Sequence, residues 1–220
     1  MALPTGPEYR PPTEPLDIIY RDDSVLLVNK PSGLLAVAGK TDDLEDCLEV
    51  RVKRAFRQAL LIHRLDMDTS GIMVFAMSRP AQRHLNMQFE KRLVGKTYIA
   101  RIWGHPDTDA GRIDLPLTSD WPRRPLQKVC HDTGKPAQTD WQVLDRDTIS
   151  TRVILRPSTG RTHQLRVHML ALGHPILGDR FYATGQALAA SPRLNLHAQS
   201  LEFQHPESGE QVSFTADCPF

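Results

Sequence analysis

Apolar and polar positions begin to alternate at Ile18. Ile18-Ile19-Tyr20 and Ser24-Val25-Leu26-Leu27-Val28-Asn29 flank an Arg-Asp-Asp turn and stop at Lys30-Pro31-Ser32-Gly33, which predicts a β-hairpin. The apolar run Ile72-Met73-Val74-Phe75-Ala76 predicts a buried strand. Leu44, Leu48, Val52, Ala55 and Ala59 recur at helical spacing and predict a helix within residues 43–59; Leu85, Phe89 and Leu93 predict a second one after Pro80. A third is expected between Arg161 and Leu172, stopped by Gly173 and Pro175. Strands are expected over residues 97–103, 138–144, 151–155, 194–203 and 211–215. The Pro-rich, basic stretch 114–136 reads as one long surface loop. Strands outnumber helices and are joined by short turns, so the pattern favours a mixed, largely antiparallel sheet of the α+β class over a doubly wound parallel one.

Composition narrows this picture only a little. At 220 residues, 40% of them hydrophobic, the chain has room for one large globular domain or two small ones. Pro4, Pro7, Pro11, Pro12 and Pro15 mark residues 1–15 as an extended arm, leaving 16–220 for the domain. The 27 basic and 26 acidic residues nearly cancel, so a polyanion would have to be gripped by a local cluster of cations. Cys47, Cys130 and Cys218 are scattered and odd in number, which speaks against a disulfide framework or a zinc knuckle and for free thiols in a reducing cytoplasm. No stretch has the form of a secretion signal or a membrane span, and a cytoplasmic location is expected.

Candidate chemistry concentrates in four segments. Asp66 lies in His63-Arg64-Leu65-Asp66-Met67-Asp68-Thr69-Ser70, closed by Gly71, an irregular stretch leading into the apolar strand. A side chain at a strand mouth can face a cleft and still be fixed by a rigid scaffold. The competing reading is a turn aspartate that accepts backbone N–H groups. Tyr98, in Lys96-Thr97-Tyr98, is either a core tyrosine or a ring on which a base stacks. In Thr159-Gly160-Arg161-Thr162-His163-Gln164-Leu165-Arg166-Val167-His168, Arg161 suits a phosphate and Arg166 a buried carboxylate; the alternative is a solvated basic face. Trp121-Pro122-Arg123-Arg124-Pro125-Leu126-Gln127-Lys128 mixes an aromatic ring with cations, as looped or single-stranded nucleic acid requires. Nine histidines fall into no metal-ligand spacing, and Gly-x-Ser-x-Gly and phosphate-cradling Gly-rich loops are missing, which weighs against metal and serine-hydrolase chemistry.

Taken in order, His63-Arg64-Leu65-Asp66 with Thr69-Ser70-Gly71, then Lys96-x-Tyr98, then Gly160 to His168, resemble the RluA family of RNA pseudouridine synthases. The likeness runs from Ile18 to the C-terminus and includes Asn29-Lys30-Pro31-Ser32-Gly33 and Leu177-Gly178-Asp179. It implies the pseudouridine synthase catalytic fold, a mixed, mainly antiparallel sheet with flanking helices and a central cleft. Many relatives carry an S4-type RNA-binding domain ahead of this one; here the only room is the Pro-rich arm, so residues 16–220 are expected to be a catalytic domain without it. The tracts from Asp114-Leu115-Pro116-Leu117 to Thr139 and from His168 to Pro175 look like the short founding member, which acts on both large-subunit rRNA and tRNA.

The reaction so implied breaks the N-glycosidic bond of a uridine, turns the bound uracil, and joins it to the same sugar carbon through a C–C bond, with no cofactor or metal. The resemblance makes Asp66 the essential carboxylate, attacking C1′ or acting as a base at C2′. Arg166 would pair with it and favour its ionised form. Tyr98 would stack on the uracil near its C5 proton, Leu165 would floor the base pocket, and Arg64 would help displace the target base. Arg161, Arg123, Arg124 and Lys128 would meet backbone phosphates. The implied partner is RNA, with 23S rRNA and a tRNA anticodon stem-loop as substrates, and with no membrane and no obligate protein partner. Two alternatives stay open: a non-catalytic RNA-binding or ribosome-assembly protein on the same scaffold, and a synthase with a single RNA substrate.

Overall fold

The first alternating stretch folds as expected. In the computed structural model, which describes residues 9–220, β1 (Asp17–Arg21) pairs antiparallel with β2 (Val25–Lys30). Asp22 Oδ1 closes the turn by accepting the N–H groups of Ser24 and Val25. Residues 1–8 of the arm, with Pro4 and Pro7, lie outside the described residues. From Tyr9 onward the arm is tied to the body: the Tyr9 hydroxyl donates to the Asp46 carbonyl, and the Pro12 carbonyl accepts from Arg51.

The helix expected within 43–59 is shorter, α1 (Leu48–Ala55). Leu44 closes a separate loop instead, accepting from the Gly39 N–H and donating to the Thr41 carbonyl. A two-residue strand, β3 (Leu60–Leu61), pairs with one edge of β4 (Ser70–Ala76), and β2 pairs with the other; β4 is buried along its whole length. Helix α2 (Arg79–Glu90) begins with Ser78 Oγ accepting the Ala81 N–H and with Pro80 in the first turn, where no N–H donor is needed. Leu93 lies beyond its end and is exposed.

Strands β5 (Gly95–Trp103) and β6 (Ala110–Asp114) follow. Residues 114–136, expected as one long loop, instead form a small second sheet. There β7 (Leu117–Ser119) and β8 (Gln127–Val129) pair antiparallel around a single 3-10 turn at Trp121–Arg123. The prolines sit outside the paired residues and so cost no ladder bond, and Leu117 and Val129 gain an apolar anchor on Val167. The remaining elements are β9 (Gln138–Arg146), β10 (Ser150–Pro157), α3 (Gln164–Ala171), α4 (Gly185–Ala189), β11 (Leu196–Gln204) and β12 (Gln211–Thr215). Since α3 begins at Gln164, Arg161 belongs to the preceding turn and not to the helix.

The large sheet runs β1-β2-β4-β11-β5-β10-β9-β6, with β3 beside β4 and β12 beside β11; its strands pair antiparallel except β4 with β11. This is the mixed, mainly antiparallel α+β arrangement. One apolar cluster gathers around β2, β4, α1 and α2, and another around β5, β9, β10 and α3. Tyr98 packs against both, and the cleft opens where they meet. Among the described residues no helix is long and apolar enough to cross a membrane.

Candidate active site

One wall of the cleft is the loop from Ile62 to Thr69, joining β3 to β4. It is fixed from behind by the tract that follows β2. Lys30 Nζ donates to the carbonyls of Pro31, Leu34 and Met67 at 2.9, 2.7 and 2.8 Å, the Gly33 N–H donates to Met67, and Ser32 Oγ donates to the Asp68 carbonyl. Lys30 is fully buried, which pushes its amine down to about 7, while three carbonyls engage its three donor positions. The Thr69 N–H closes a turn onto the Asp66 carbonyl, and Arg180 pairs with Asp68. Gly71 then lets β4 press on β11: it has φ +116°, and a Cβ there would lie 2.3 Å from the Ala198 carbonyl oxygen. Thr69 closes the turn, whereas Ser70 and Gly71 are already strand residues, the first two of β4; Ser70 is buried between Arg193 and His197, out of the cleft.

The opposite wall comes from the turn 159–163 and from α3. Arg166 donates through Nε and Nη2 to the two oxygens of Asp179 at 2.7 and 2.6 Å, and its third nitrogen, Nη1, lies 3.4 Å from Asp66 Oδ2. The guanidinium is thus held by Asp179 and aimed at Asp66. Gly178 makes the approach possible, with φ +68° and no room for a Cβ against the Arg193 carbonyl. Asp179 Oδ1 also accepts the N–H groups of Phe181 and Tyr182, so the same carboxylate shapes the next turn. Tyr182 accepts the Gln127 N–H from β8 and meets His163 Nδ1 at 2.7 Å. When the Tyr182 O–H donates to Nδ1, the His163 proton sits on Nε2, the ring nitrogen 3.9 Å from Asp66 Oδ2. Burial pushes the His163 imidazole below its usual range, so the ring is neutral at neutral pH.

Between these walls lies a cleft of about 280 Å³ that is lined by Asp66, Tyr98, Arg166, Arg64, Leu165 and Arg161, the expected residues of the centre. Residues one hundred positions apart in the chain, Asp66 and Arg166, meet there. Burial first and the Asp66 charge second push the Tyr98 phenol up, so its hydroxyl stays protonated at neutral pH. His63 also lines the cleft, stacked on Phe89 at 4.7 Å, but its Nε2 accepts the Val74 N–H and burial pushes its pKa down to about 3. It has no free basic nitrogen to offer there on the Nε2 side.

Arg123, Arg124 and Lys128 do not line this cleft. They sit on the β7–β8 hairpin, where Asp120 binds Arg123 and lies 3.8 Å from Lys128, and Arg124 Cζ stacks 3.2 Å from the Trp121 ring centre. Sequence reasoning passed over Asp179, His163 and Tyr182 as working parts. Leu177-Gly178-Asp179 belongs to the stretch that resembles the family, yet nothing local marks it as the place where a buried arginine finds its counter-charge.

A single reachable carboxylate, an aromatic wall and a surplus of cations define an enzyme site for a nucleotide unit of a polyanion. The chain belongs to the RNA pseudouridylate synthase family, whose model matches residues 24–171. The dual-specificity RNA pseudouridine synthase RluA of Escherichia coli (strain K12) is 54% identical to it over 214 residues, covering 96% of this chain and 98% of the relative. The protein of the same name from Vibrio vulnificus is 52% identical over 219 residues, covering 97% and 88%. Among solved structures, human RNA pseudouridylate synthase domain containing 1 superposes with a TM-score of 0.79 at 30% identity, covering 99% of this chain and 87% of that one. The protein is an RNA pseudouridine synthase, an isomerase that converts uridine to pseudouridine in RNA.

Proposed function

We propose that the protein modifies uridines in both 23S rRNA and a tRNA anticodon stem-loop, in the cytoplasm, with Asp66 reacting at the sugar and residues 16–220 acting as one catalytic unit. What carries the assignment of Asp66 is the third nitrogen of Arg166, which is fixed by Asp179 and aimed at the Asp66 carboxylate inside the cleft that Tyr98 lines. Dual specificity is supported by relatives that match almost end to end at 52–54% identity and are dual-specificity RNA pseudouridine synthases.

Asp66 attacks C1′ or removes the C2′ proton, and either step draws on an ionised carboxylate beside a fixed cation. The Tyr98 ring stacks on the uracil, with its hydroxyl, kept protonated by burial, near the C5 proton that is lost late in the reaction. Leu165 packs at the pocket floor. Arg64, exposed at the cleft mouth, fills the space that the extruded base leaves, a step costing a few kcal/mol, less in a loop than in a duplex. Arg161, Arg123, Arg124 and Lys128 contact backbone phosphates.

The variant Asp66→Asn is expected to lose pseudouridine formation and keep RNA affinity; retained turnover overturns the assignment. Mapping pseudouridine in total RNA from cells with and without the gene tests substrate range. Sites lost from both rRNA and tRNA support dual action, and sites lost from one class defeat it.

A further inference from the structure

Lys96 differs from the other buried cations at the centre of the molecule. Lys30 has three carbonyl acceptors and Arg166 a bidentate carboxylate. The half-buried Lys96 Nζ donates to one acceptor, the Thr159 carbonyl at 3.1 Å, and no carboxylate pairs with it among the described residues. It lines the cleft beside His63, Phe89, Gly160 and Arg161. The charged groups around it are mainly cationic: Arg92 from the turn after α2, Arg161 from the turn before α3, and Arg64 from the loop after β3, with Asp66 the one carboxylate lining the cleft among the described residues. His63 is neutral. On the adjoining β11, Glu202 lies beside Gly95, whose side-chain direction is opposite to that of Lys96.

A half-buried ammonium with one protein acceptor gains when an anion, in place of water, completes its shell. We propose that Lys96 binds a non-bridging oxygen of the RNA phosphodiester next to the target uridine, and that it does so only once that nucleotide has entered the cleft. The strand period supports the choice of phosphate. Lys96 and Tyr98 share one face of β5 and are about 7 Å apart along it, so a base lying on Tyr98 leaves Lys96 under the sugar-phosphate. A full negative charge also compensates the ammonium, which a neutral uracil carbonyl does not. The inference rests on the cleft being the site of base entry, as proposed above.

In the free protein, burial and then Arg92 push the Lys96 amine down to about 8. Phosphate binding requires the protonated form, so affinity is full below that value and falls as pH rises through it. The expected result for a stem-loop RNA with one target uridine is that Lys96→Met raises KM about tenfold while kcat changes little. Lys96→Arg should restore KM, and it should also remove the rise in KM expected of the wild type above about pH 8.

The deciding measurement replaces the phosphodiesters flanking the target uridine, one at a time, by neutral methylphosphonates. One such replacement should weaken wild-type binding about tenfold and leave Lys96→Met unaffected. An equal penalty in both proteins, or an unchanged KM for Lys96→Met, overturns the proposal. Repeating the binding arm in the Asp66→Asn background separates this outcome from a failure of the Asp66 assignment, because affinity is read there without turnover.

Discussion

Arg166 and Arg124 are the same residue type put to opposite uses. The Arg166 side chain is 2% exposed and is gripped by Asp179, itself 1% exposed, with one nitrogen left over for Asp66. Arg124 lies on the surface of the β7–β8 hairpin, stacked on a Trp121 that is 67% exposed. A buried guanidinium must have its charge and donors answered within the fold, so its direction is set before RNA arrives. A surface guanidinium is answered by water and salt, so it contributes grip and on-rate and little geometry.

The contrast is tested most severely at Asp179. Asp179→Ala strands the Arg166 fork in the interior and is expected to cost about 3–5 kcal/mol of stability, seen as a lower urea midpoint, together with loss of turnover. A cost below about 1 kcal/mol would mean that Arg166 behaves like a surface cation. Lys30 comes next. Lys30→Met leaves three carbonyls without their donor and removes a buried charge, for a net loss of about 2 kcal/mol at pH 7. Its pH signature has a definite sign. The amine sits near 7 in the fold and at its ordinary 10.5 in the unfolded chain, so the unfolded chain binds more protons between those values and wild-type stability gains a contribution that rises with pH across that window. The difference between Lys30→Met and wild type should change across the same window; a constant difference would mean that the three carbonyls fully offset burial.

Much of this was legible in the sequence where the signal was local. The hairpin at Ile18, the proline and apolar spacing of α2, and the strand ending at Ala76 follow from turn chemistry and periodicity that neighbouring residues do not override. Residues 114–136 were misread because proline density hides two three-residue strands whose stability comes from Val167, far along the chain. Asp66, Tyr98, Leu165 and Arg166 were legible only as an ordered set resembling a family. Their meeting in one cleft depends on β4 lying against β11, a parallel contact that no periodicity encodes. Asp179 and Tyr182 were illegible for the same reason, since their importance lies wholly in what they touch.

Tyr182 is where the two regions communicate. Its hydroxyl takes the Gln127 N–H of the hairpin and meets His163 beside Asp66. Tyr182→Phe is expected to cost about 1 kcal/mol, to speed hydrogen exchange at the Gln127 amide, and to lower kcat by freeing the His163 tautomer. Faster exchange with unchanged kcat would show the hairpin and the carboxylate site to be independent.

The smallest effect on the fold is expected at Arg124 itself. Arg124→Ala removes a cation held only by a ring face, so stability should stay within about 0.5 kcal/mol of wild type. If the side chain meets a phosphate, one counterion fewer is released on binding, and the slope of log affinity against log salt should shrink by about 0.7–0.9. Trp121→Ala makes the natural partner experiment, because loss of a stacking ring weakens binding without changing that slope. A salt slope that is the same in Arg124→Ala and wild type would remove the hairpin from the RNA interface, and the grip would then fall to Arg64, Lys96 and Arg161 inside the cleft.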